Sequence, residues 1–194
     1  MKRLFIAVDL SRELSARLAA CFPEETPGCR PVRLNPFHLT LRFIGSADEE
    51  LIPPLRSRLD AVRAPAFDLT LSATGFFPSD NRPRVFWIGV EPSAVLKDLQ
   101  QQVERAVQAA GFPGEDREFS AHITLARMRP PFRAGLLPSP FWRAMRQFRG
   151  ERVAVPSFRL YASTTASSGP VHTLLQEISL TADDADNTDD FQTL

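Results

Sequence analysis

Apolar and polar residues alternate twice in the chain around one four-residue pattern: histidine, apolar, threonine, apolar. The two copies are His38-Leu39-Thr40-Leu41 and His122-Ile123-Thr124-Leu125. A period of two is typical of a β-strand with one buried face, so each strand presents a histidine and a threonine on its other face. A single copy would fit an ordinary exposed strand, but the chain has only three histidines and two of them stand in this pattern. We therefore interpret the repeated unit as functional.

Hydrophobic periodicity predicts the other elements as two similar series. Residues 3–73 are predicted to fold as β-α-β-α-β and residues 84–180 as β-α-β-α-β-β, with one histidine-containing strand in each series. Helix starts are predicted at Ser11 and Ser93, whose side chains can cap a helix N-terminus. Strands are predicted at residues 3–8, 37–44, 67–73, 84–90, 118–126, 152–161 and 171–180.

Glycine, proline and capping residues predict where some of these elements end. Gly45 is expected to end the strand at 37–44, and residues 46–49 are expected to form a capping box at the start of a helix. Residues 75–83 are predicted to be a long connection, in which Phe76 and Phe77 pack internally or line a site.

The predicted elements indicate an α+β fold with a single domain at residues 1–181. The duplicated halves, about 3–73 and 84–180, are each too small to hold a generous core alone. We expect two lobes, each with an antiparallel sheet and outer helices, related by a pseudo-twofold axis with a cleft between them. Residues 182–194 form a tail with five acidic residues, which we expect to be disordered.

Composition excludes few kinds of partner, but together with the N-terminal segment it indicates the cellular compartment. The chain of 194 residues has 23 basic and 23 acidic residues and a formal net charge of zero, so any nucleic-acid contact must depend on a local patch. The first apolar run ends at Asp9, which is too early for a signal peptide, and no membrane span is expected. We therefore expect a cytoplasmic protein in which Cys21 and Cys29 are free thiols.

The paired histidines and threonines suggest phosphodiester cleavage without metal. Two imidazoles that titrate near neutral pH can act as general base and general acid in one step. Threonine hydroxyls beside them can donate to phosphate oxygens, and an arginine can neutralise the charge that develops there. A zinc or iron site is disfavoured because neither strand supplies a third ligand or an orienting carboxylate nearby. We expect no metal and no other cofactor.

These motifs resemble those of the two-histidine (2H) phosphoesterases, and within them the RNA 2′,3′-cyclic phosphodiesterases, also called 2′-5′ RNA ligase-like proteins. The resemblance spans about residues 1–181 and extends beyond the two HxTx motifs. It includes the segments 43–45 (FIG), 75–78 (GFFP), 82–90 (RPRVFWIGV) and 126–127 (AR).

The resemblance implies a bilobal α+β fold and a defined reaction. The reaction is hydrolysis of an RNA-terminal 2′,3′-cyclic phosphate to a 2′-phosphomonoester, with weak 2′-5′ ligation as the reverse chemistry. By analogy, His122 activates the water and His38 protonates the departing 3′ oxygen. The phosphate is held by Thr40, Thr124 and Arg127. The implied partner is RNA with a 2′,3′-cyclic phosphate end, tRNA fragments included, and the implied enzyme is a monomer.

Strand parity raises a conflict at Arg127. Simple alternation places this side chain on the core face, where an unpaired guanidinium is costly, so the strand is expected to end or bulge near Ala126. The same alternation places Arg42 on the face of His38 and Phe43 in the core.

The chain departs from the family pattern at two positions. Ala121 stands where proline is often found, and His172 stands where tyrosine is expected. Two interpretations of His172 stay open: a partly exposed strand histidine, or a side chain that alters how a base stacks at the cleft.

Two other functions also stay open. One is a phosphodiesterase for a small cyclic nucleotide or nucleotide-sugar phosphate, which the near-zero net charge favours. The other is a module that binds a phosphorylated RNA end without turnover, against which the two intact histidines argue.

Overall fold

The structure is a computed structural model, and it describes residues 2–32, 36–166 and 169–181. The expectation of a disordered tail at 182–194 lies outside the described residues. The strands are β1 (Lys2–Asp9), β2 (Cys29–Pro31), β3 (His38–Ala47), β4 (Phe67–Phe77), β5 (Val85–Val90), β6 (His122–Met128), β7 (Arg152–Val155), β8 (Ser157–Ala166) and β9 (Gly169–Ser179). The α-helices are α1 (Arg12–Ala20), α2 (Ile52–Leu59), α3 (Ala94–Ala109) and α4 (Ser139–Arg146). Within these ranges, the helices are too short or too polar to cross a membrane.

The strands form one curled sheet in the order β7-β4-β5-β6-β3-β1-β8-β9, and β2 adds to the edge of β6. Every pairing between these strands is antiparallel. The α+β class and the antiparallel strands are therefore as predicted. The two expected sheets, however, are joined where β3 meets β6, with Leu39 opposite Ile123. We call β3, β1, β8 and β9 the first lobe, and β6, β5, β4 and β7 with β2 the second lobe.

Each lobe is built from both ends of the chain. β4 comes from the N-terminal part but pairs with β5, and β8 comes from the C-terminal part but pairs with β1. The helices are exchanged between the lobes in the same way as the strands. Phe22, which follows α1, packs against Phe86 of β5 and Phe141 of α4, with ring centroids 6.1 and 5.1 Å away. Helix α3, which follows β5, packs on α2. This exchange makes each lobe dependent on the other for its core.

Helix capping agrees with the prediction at two helices and differs from it at a third. The hydroxyls of Ser11 and Ser93 accept hydrogen bonds from Leu14 N and Leu96 N, at 3.1 and 3.2 Å, as predicted. The capping box at residues 46–49 is wrong, because β3 continues to Ala47 and a short 3-10 turn precedes α2. Gly45 does not end the strand; its positive φ of 82° accommodates an irregularity in the pairing with β1.

Two other strand boundaries also differ from the predictions. β4 runs on to Phe77, because residues 75–77 pair with β5 instead of forming a connection. The strand predicted at 152–161 is two strands, β7 pairing with β4 and β8 pairing with β1. Pro156 separates them, and since proline has no N–H it interrupts the ladder where the chain passes from one lobe to the other.

Both histidine-containing strands carry a bulge at the same place. In β3 the register with β1 shifts across Leu41, so that Leu41 and Arg42 are both buried. In β6 the register with β5 shifts between Thr124 and Ala126, and Leu125 and Ala126 are both buried. The predicted bulge near Ala126 is thus present.

The bulges reverse the parity of the residues that follow them. In β6 the next residue, Arg127, is exposed on the face of His122. In β3 the next residue, Phe43, is 43% exposed, so the expectation that it lies in the core is wrong. Simple alternation failed there because a bulge adds one residue to the strand without advancing the register.

Arg42 is buried behind the sheet, not on the face of His38 as alternation had suggested. Its side chain is 7% exposed, and Nε lies 2.6 Å from Oε2 of Glu104 on α3. Nη1 donates to the carbonyl of Phe43 at 2.7 Å and Nη2 to the carbonyl of Pro113 at 2.6 Å. Arg42 therefore ties α3 and the loop after it to β3.

Substituting Arg42 by alanine tests this structural role. Arg42→Ala removes the cation beside Oε2 of the largely buried Glu104, while Oε1 keeps its bonds from Gln108 and Glu115, so we expect the free energy of unfolding to fall by about 3 kcal/mol. The measurement is urea unfolding followed by circular dichroism. Arg105→Ala is the matched control. Arg105 is an exposed arginine next to Glu104 on α3, and its loss should change the free energy of unfolding by less than about 0.5 kcal/mol. Equal effects of the two changes would contradict the burial of Arg42.

Candidate active site

The two HxTx motifs meet at the junction between the lobes. Leu39 and Ile123 are both 0% exposed, and their antiparallel pairing sets His38 opposite Thr124 and His122 opposite Thr40. All four polar side chains are half-buried and project from the face opposite the core. The structure therefore brings together four of the five predicted site residues as one group, which we call the tetrad. The expected facing arrangement across a cleft is replaced by neighbouring strands of one sheet.

His122 is oriented by the backbone of the segment before it. Nδ1 lies 2.7 Å from the carbonyl oxygen of Ser120. A carbonyl can only accept a hydrogen bond, so Nδ1 carries the proton and, in the neutral ring, Nε2 has the free lone pair. This tautomer suits a general base that acts through Nε2.

Two aromatic rings of the second lobe flank His122. Phe77 meets it edge to face with ring centroids 4.9 Å apart, and Trp87 lies 6.4 Å away. Trp87 lies flat because its neighbours in the sheet are glycines. A Cβ at Gly75 would stand 2.5 Å from its ring, and one at Gly89 would stand 3.3 Å from it. Any larger residue at Gly75 would displace Trp87 and with it the wall beside His122.

His38 lies in a different and more enclosed environment. Its ring stacks on Phe5 with centroids 5.0 Å apart, and Phe5 in turn stacks on Tyr161 at 5.1 Å. His172, on the β8–β9 hairpin, meets Phe5 edge to face at 4.8 Å and lies 5.7 Å from His38. The site thus contains a third histidine, although the sequence left its role open.

Burial changes the titration of both first-lobe histidines. Desolvation, and secondarily the charge of His172, lower the pKa of His38 to about 4. Burial also lowers the pKa of His172, whereas the carboxylate of Asp9 acts to raise it. His38 is therefore neutral in the free protein at neutral pH, and needs an added negative charge nearby to hold a proton.

A polar network adjoins this aromatic group and binds the hydroxyl of its Tyr161. Asp9 accepts hydrogen bonds from the hydroxyl of Tyr161 at 2.5 Å and from Nη1 of Arg159 at 2.6 Å. Nη2 of Arg159 donates to Glu177 at 2.7 Å, which links β1, β8 and β9. Burial and the bond to Asp9 raise the pKa of Tyr161, so its hydroxyl stays protonated.

Sequence reasoning missed this supporting group. Asp9 directly follows the strand predicted at 3–8 and has the parity of Phe5, which was a usable signal. Nothing in the sequence showed that this strand lies next to the first histidine strand, or that the last hairpin brings Tyr161 and His172 to it. Long-range strand order is not encoded in local periodicity.

Arg127, the fifth predicted site residue, lies beyond the bulge of β6. Its register partners are Val85 on β5 and Arg30 on β2. The side chain is exposed and therefore reaches the same face as the tetrad without a direct bond to it. Among the described residues, no three His, Cys, Asp or Glu side chains cluster as metal ligands do.

Comparison with known proteins identifies the family. A family model described as LigT like phosphoesterase matches residues 8–87 and, a second time, residues 88–172. Together the two matches cover most of the chain, which therefore belongs to the LigT-like phosphoesterases of the 2H superfamily. The RNA 2′,3′-cyclic phosphodiesterase of Thermus thermophilus is 36% identical over 92% of this chain and 90% of its own length. The protein of the same name from Escherichia coli is 32% identical over 93% and 97%.

Solved structures show the same fold. Protein TT0787 of Thermus thermophilus superposes with a TM-score of 0.76 at 31% identity, over 93% of this chain and 99% of that one. E. coli LigT in its apo form gives 0.74 at 31% identity, over 93% and 98%. E. coli LigT has also been crystallised in complex with 3′-AMP, with a TM-score of 0.73.

The lowered pKa of His38 predicts a pH dependence of stability. Its value falls from 6.5 in the unfolded chain to about 4 in the folded one, so unfolding takes up a proton between these limits. Above pH 6.5 the ring is neutral in both states, so it does not affect the balance between them. As pH falls from 6.5 towards 4 the unfolded chain takes up a proton that the folded chain does not, and stability is lost. The free energy of unfolding should therefore decrease over that window, and His38→Asn should make the decrease shallower.

Urea unfolding at several pH values between 7 and 4 measures both slopes. Thr124→Val is the matched control, because it changes the residue opposite His38 without removing a titrating group, and should keep the slope of the parent. Identical slopes for the parent and His38→Asn would contradict the enclosed environment of His38.

Proposed function

We propose that this protein hydrolyses RNA-terminal 2′,3′-cyclic phosphates to 2′-phosphomonoesters by metal-independent two-histidine catalysis. The observation that carries the proposal is the tetrad, two histidines and two threonines on one face at the Leu39–Ile123 junction. The names of the relatives support it, since those from Thermus thermophilus and E. coli are RNA 2′,3′-cyclic phosphodiesterases. The complex of E. coli LigT with 3′-AMP supports a nucleotide as ligand.

In the proposed step, Nε2 of His122 removes a proton from a water molecule whose oxygen attacks phosphorus. The bond between phosphorus and the 3′ oxygen breaks, and the imidazolium of His38 gives its proton to that oxygen. The products are a 2′-phosphate and a 3′-hydroxyl. An RNA 5′-hydroxyl in place of water gives a 2′-5′ phosphodiester, which is the weak ligation expected as reverse chemistry.

The remaining site residues bind the phosphate. The hydroxyls of Thr40 and Thr124 donate to its non-bridging oxygens, and the planar guanidinium of Arg127 contacts two oxygens at once. Negative charge grows on these oxygens in the transition state, so donors fixed in the sheet favour it over the ground state.

The low pKa of His38 fits an acid that is charged by its substrate. The neutral ring of the free protein gains its proton when a phosphate anion is bound beside it, because an opposite charge at short range favours the charged form. His38 then holds an acidic proton only in the complex. This coupling ties the acid to a bound phosphodiester.

The natural substrate is proposed to be RNA with a cyclic phosphate end, tRNA fragments included, and the enzyme a cytoplasmic monomer. The oriented Nε2 of His122 favours turnover over simple binding of a phosphorylated RNA end. A cyclic mononucleotide or nucleotide-sugar phosphate as the main substrate would show as a higher kcat/KM on that compound than on an oligonucleotide.

Product analysis tests the reaction. An oligoribonucleotide ending in a 2′,3′-cyclic phosphate should gain the mass of one water, and digestion should locate the phosphate on the 2′ oxygen. Because no metal takes part in the proposed step, turnover should survive EDTA. Loss on chelation that zinc restores, or a 3′-phosphate product, would overturn the mechanism.

The two histidines should behave as a single unit in this assay. His38→Ala and His122→Ala should each lower kcat by about a hundredfold to ten-thousandfold, since each removes one proton transfer. The double variant should lose far less than the product of the two effects. Fully multiplicative losses would show that they do not act in the same step.

Arg127 can be tested with a conservative substitution. Arg127→Lys keeps the charge but loses the planar fork, so we expect kcat/KM on a cyclic-phosphate mononucleotide to fall about tenfold or more. Arg127→Ala should lose more. Arg129→Lys is the matched control two residues further along the chain, and should have little effect. A larger loss at Arg129 than at Arg127 would assign the phosphate contact to another arginine.

A further inference from the structure

Arg30 lies directly opposite Arg127 at the edge of the second lobe. The antiparallel register of β2 and β6 pairs the two residues, and both side chains are exposed. Residues opposite each other on such a pair project to the same face, with Cα atoms about 5.5 Å apart. Arg30 therefore projects to the face that carries the tetrad.

Two opposed arginines are unfavourable without an anion. Like charges directly opposite destabilise a strand pair. Within residues 2–32, 36–166 and 169–181, neither guanidinium forms an ion pair with a carboxylate. The reacting phosphate beside Arg127 and a second phosphate beside Arg30 would each offset one of these charges, and guanidinium forks match phosphate oxygens in geometry.

The chain beyond Arg127 is also rich in arginine. Residues 127–152 contain seven arginines, all exposed, and one acidic residue, Glu151. The carboxylate of Glu151 is already bound by Arg17 at 2.5 and 3.0 Å. This segment is therefore basic although the chain has no formal net charge. Its helix α4 packs on the core face of β5 through Phe141 and Phe86, and Arg152 is paired with Asp68 at 2.6 Å, so the pair Arg30–Arg127 is what places basic charge on the tetrad's face.

The position of the arginine pair relative to the tetrad suits a continuous strand of RNA. On β5, Trp87 pairs with Thr124 and Val85 pairs with Arg127. Trp87 and Val85 are two residues apart on an extended strand, which is about 6.6 Å. The same distance therefore separates the level of Thr124 in the sheet from the level of Arg127 and Arg30. A polyanion whose end occupies the tetrad can reach this second level with its next phosphate.

We propose that Arg30 binds the phosphate on the 5′ side of the terminal nucleotide, so that the site contacts the RNA beyond the nucleotide that reacts. The proposal rests on the proposed function and adds to it a preference for oligonucleotides. A mononucleotide has no such phosphate and gains nothing from Arg30.

Salt-dependent binding tests this assignment. The probe is a single-stranded RNA of about ten nucleotides with a 5′ fluorophore and a 2′-phosphate end, and the measurement is fluorescence anisotropy over a salt series. Arg30→Gln should weaken binding and reduce the slope of log affinity against log salt by about 0.7, the value for one phosphate contact. Arg58→Gln, the same charge change at an exposed position of α2, should leave the slope unaltered.

Kinetics give a second readout. The ratio of KM on a cyclic-phosphate oligonucleotide to KM on the mononucleotide should rise about fivefold or more in Arg30→Gln. An unchanged salt slope, or an equal change of KM on both substrates, would overturn the proposal. If the parent protein hydrolyses neither substrate, the proposed function fails, while the binding slope still decides the role of Arg30.

Discussion

The buried pair Leu39–Ile123 is the constraint on which the site depends. Among the described residues it is the one register pair between β3 and β6, and so the one place where the hydrogen-bonded sheet passes from one lobe to the other. A slip of β3 by one residue would turn His38 and Thr40 into the core and Leu39 and Leu41 out to solvent, at a large cost in apolar burial. The register is therefore fixed by apolar residues beneath the site. The opposition of each histidine to the other strand's threonine follows from it.

The bulge after each motif has a different consequence in the two strands. In β6 it turns Arg127 to the face of the tetrad, whereas in β3 it turns Phe43 outward, where the guanidinium of Arg3 lies 5.5 Å above the ring. Burying two successive residues at each bulge also places Arg42 behind the sheet, next to Glu104. A single backbone feature thus produces a cation at the site in one copy, and an exposed aromatic residue with a buried structural arginine in the other.

The sequence predicted what depends on local pattern. The HxTx strands, the serine caps and the bulge required by Arg127 all follow from alternation, side-chain chemistry and the cost of a buried charge. It did not predict that Pro156 divides one strand between two lobes, because that break has meaning only once the strand order is known. Nor did it predict that Phe43 is exposed, since nothing polar in β3 revealed the bulge. The position of His172 beside His38 depends on β9, which begins more than 120 residues further along the chain.

Duplication accounts for the placement of the two histidines, and their neighbours account for the difference between them. His122 is anchored through Nδ1 to the backbone, which leaves Nε2 as a lone pair ready to accept a proton. His38 is enclosed between Phe5 and His172, and this burial holds its pKa near 4. A pair of equivalent imidazoles would compete for the same proton. Unequal surroundings remove that symmetry, so that one ring is a base in the free protein and the other becomes an acid only beside a bound anion.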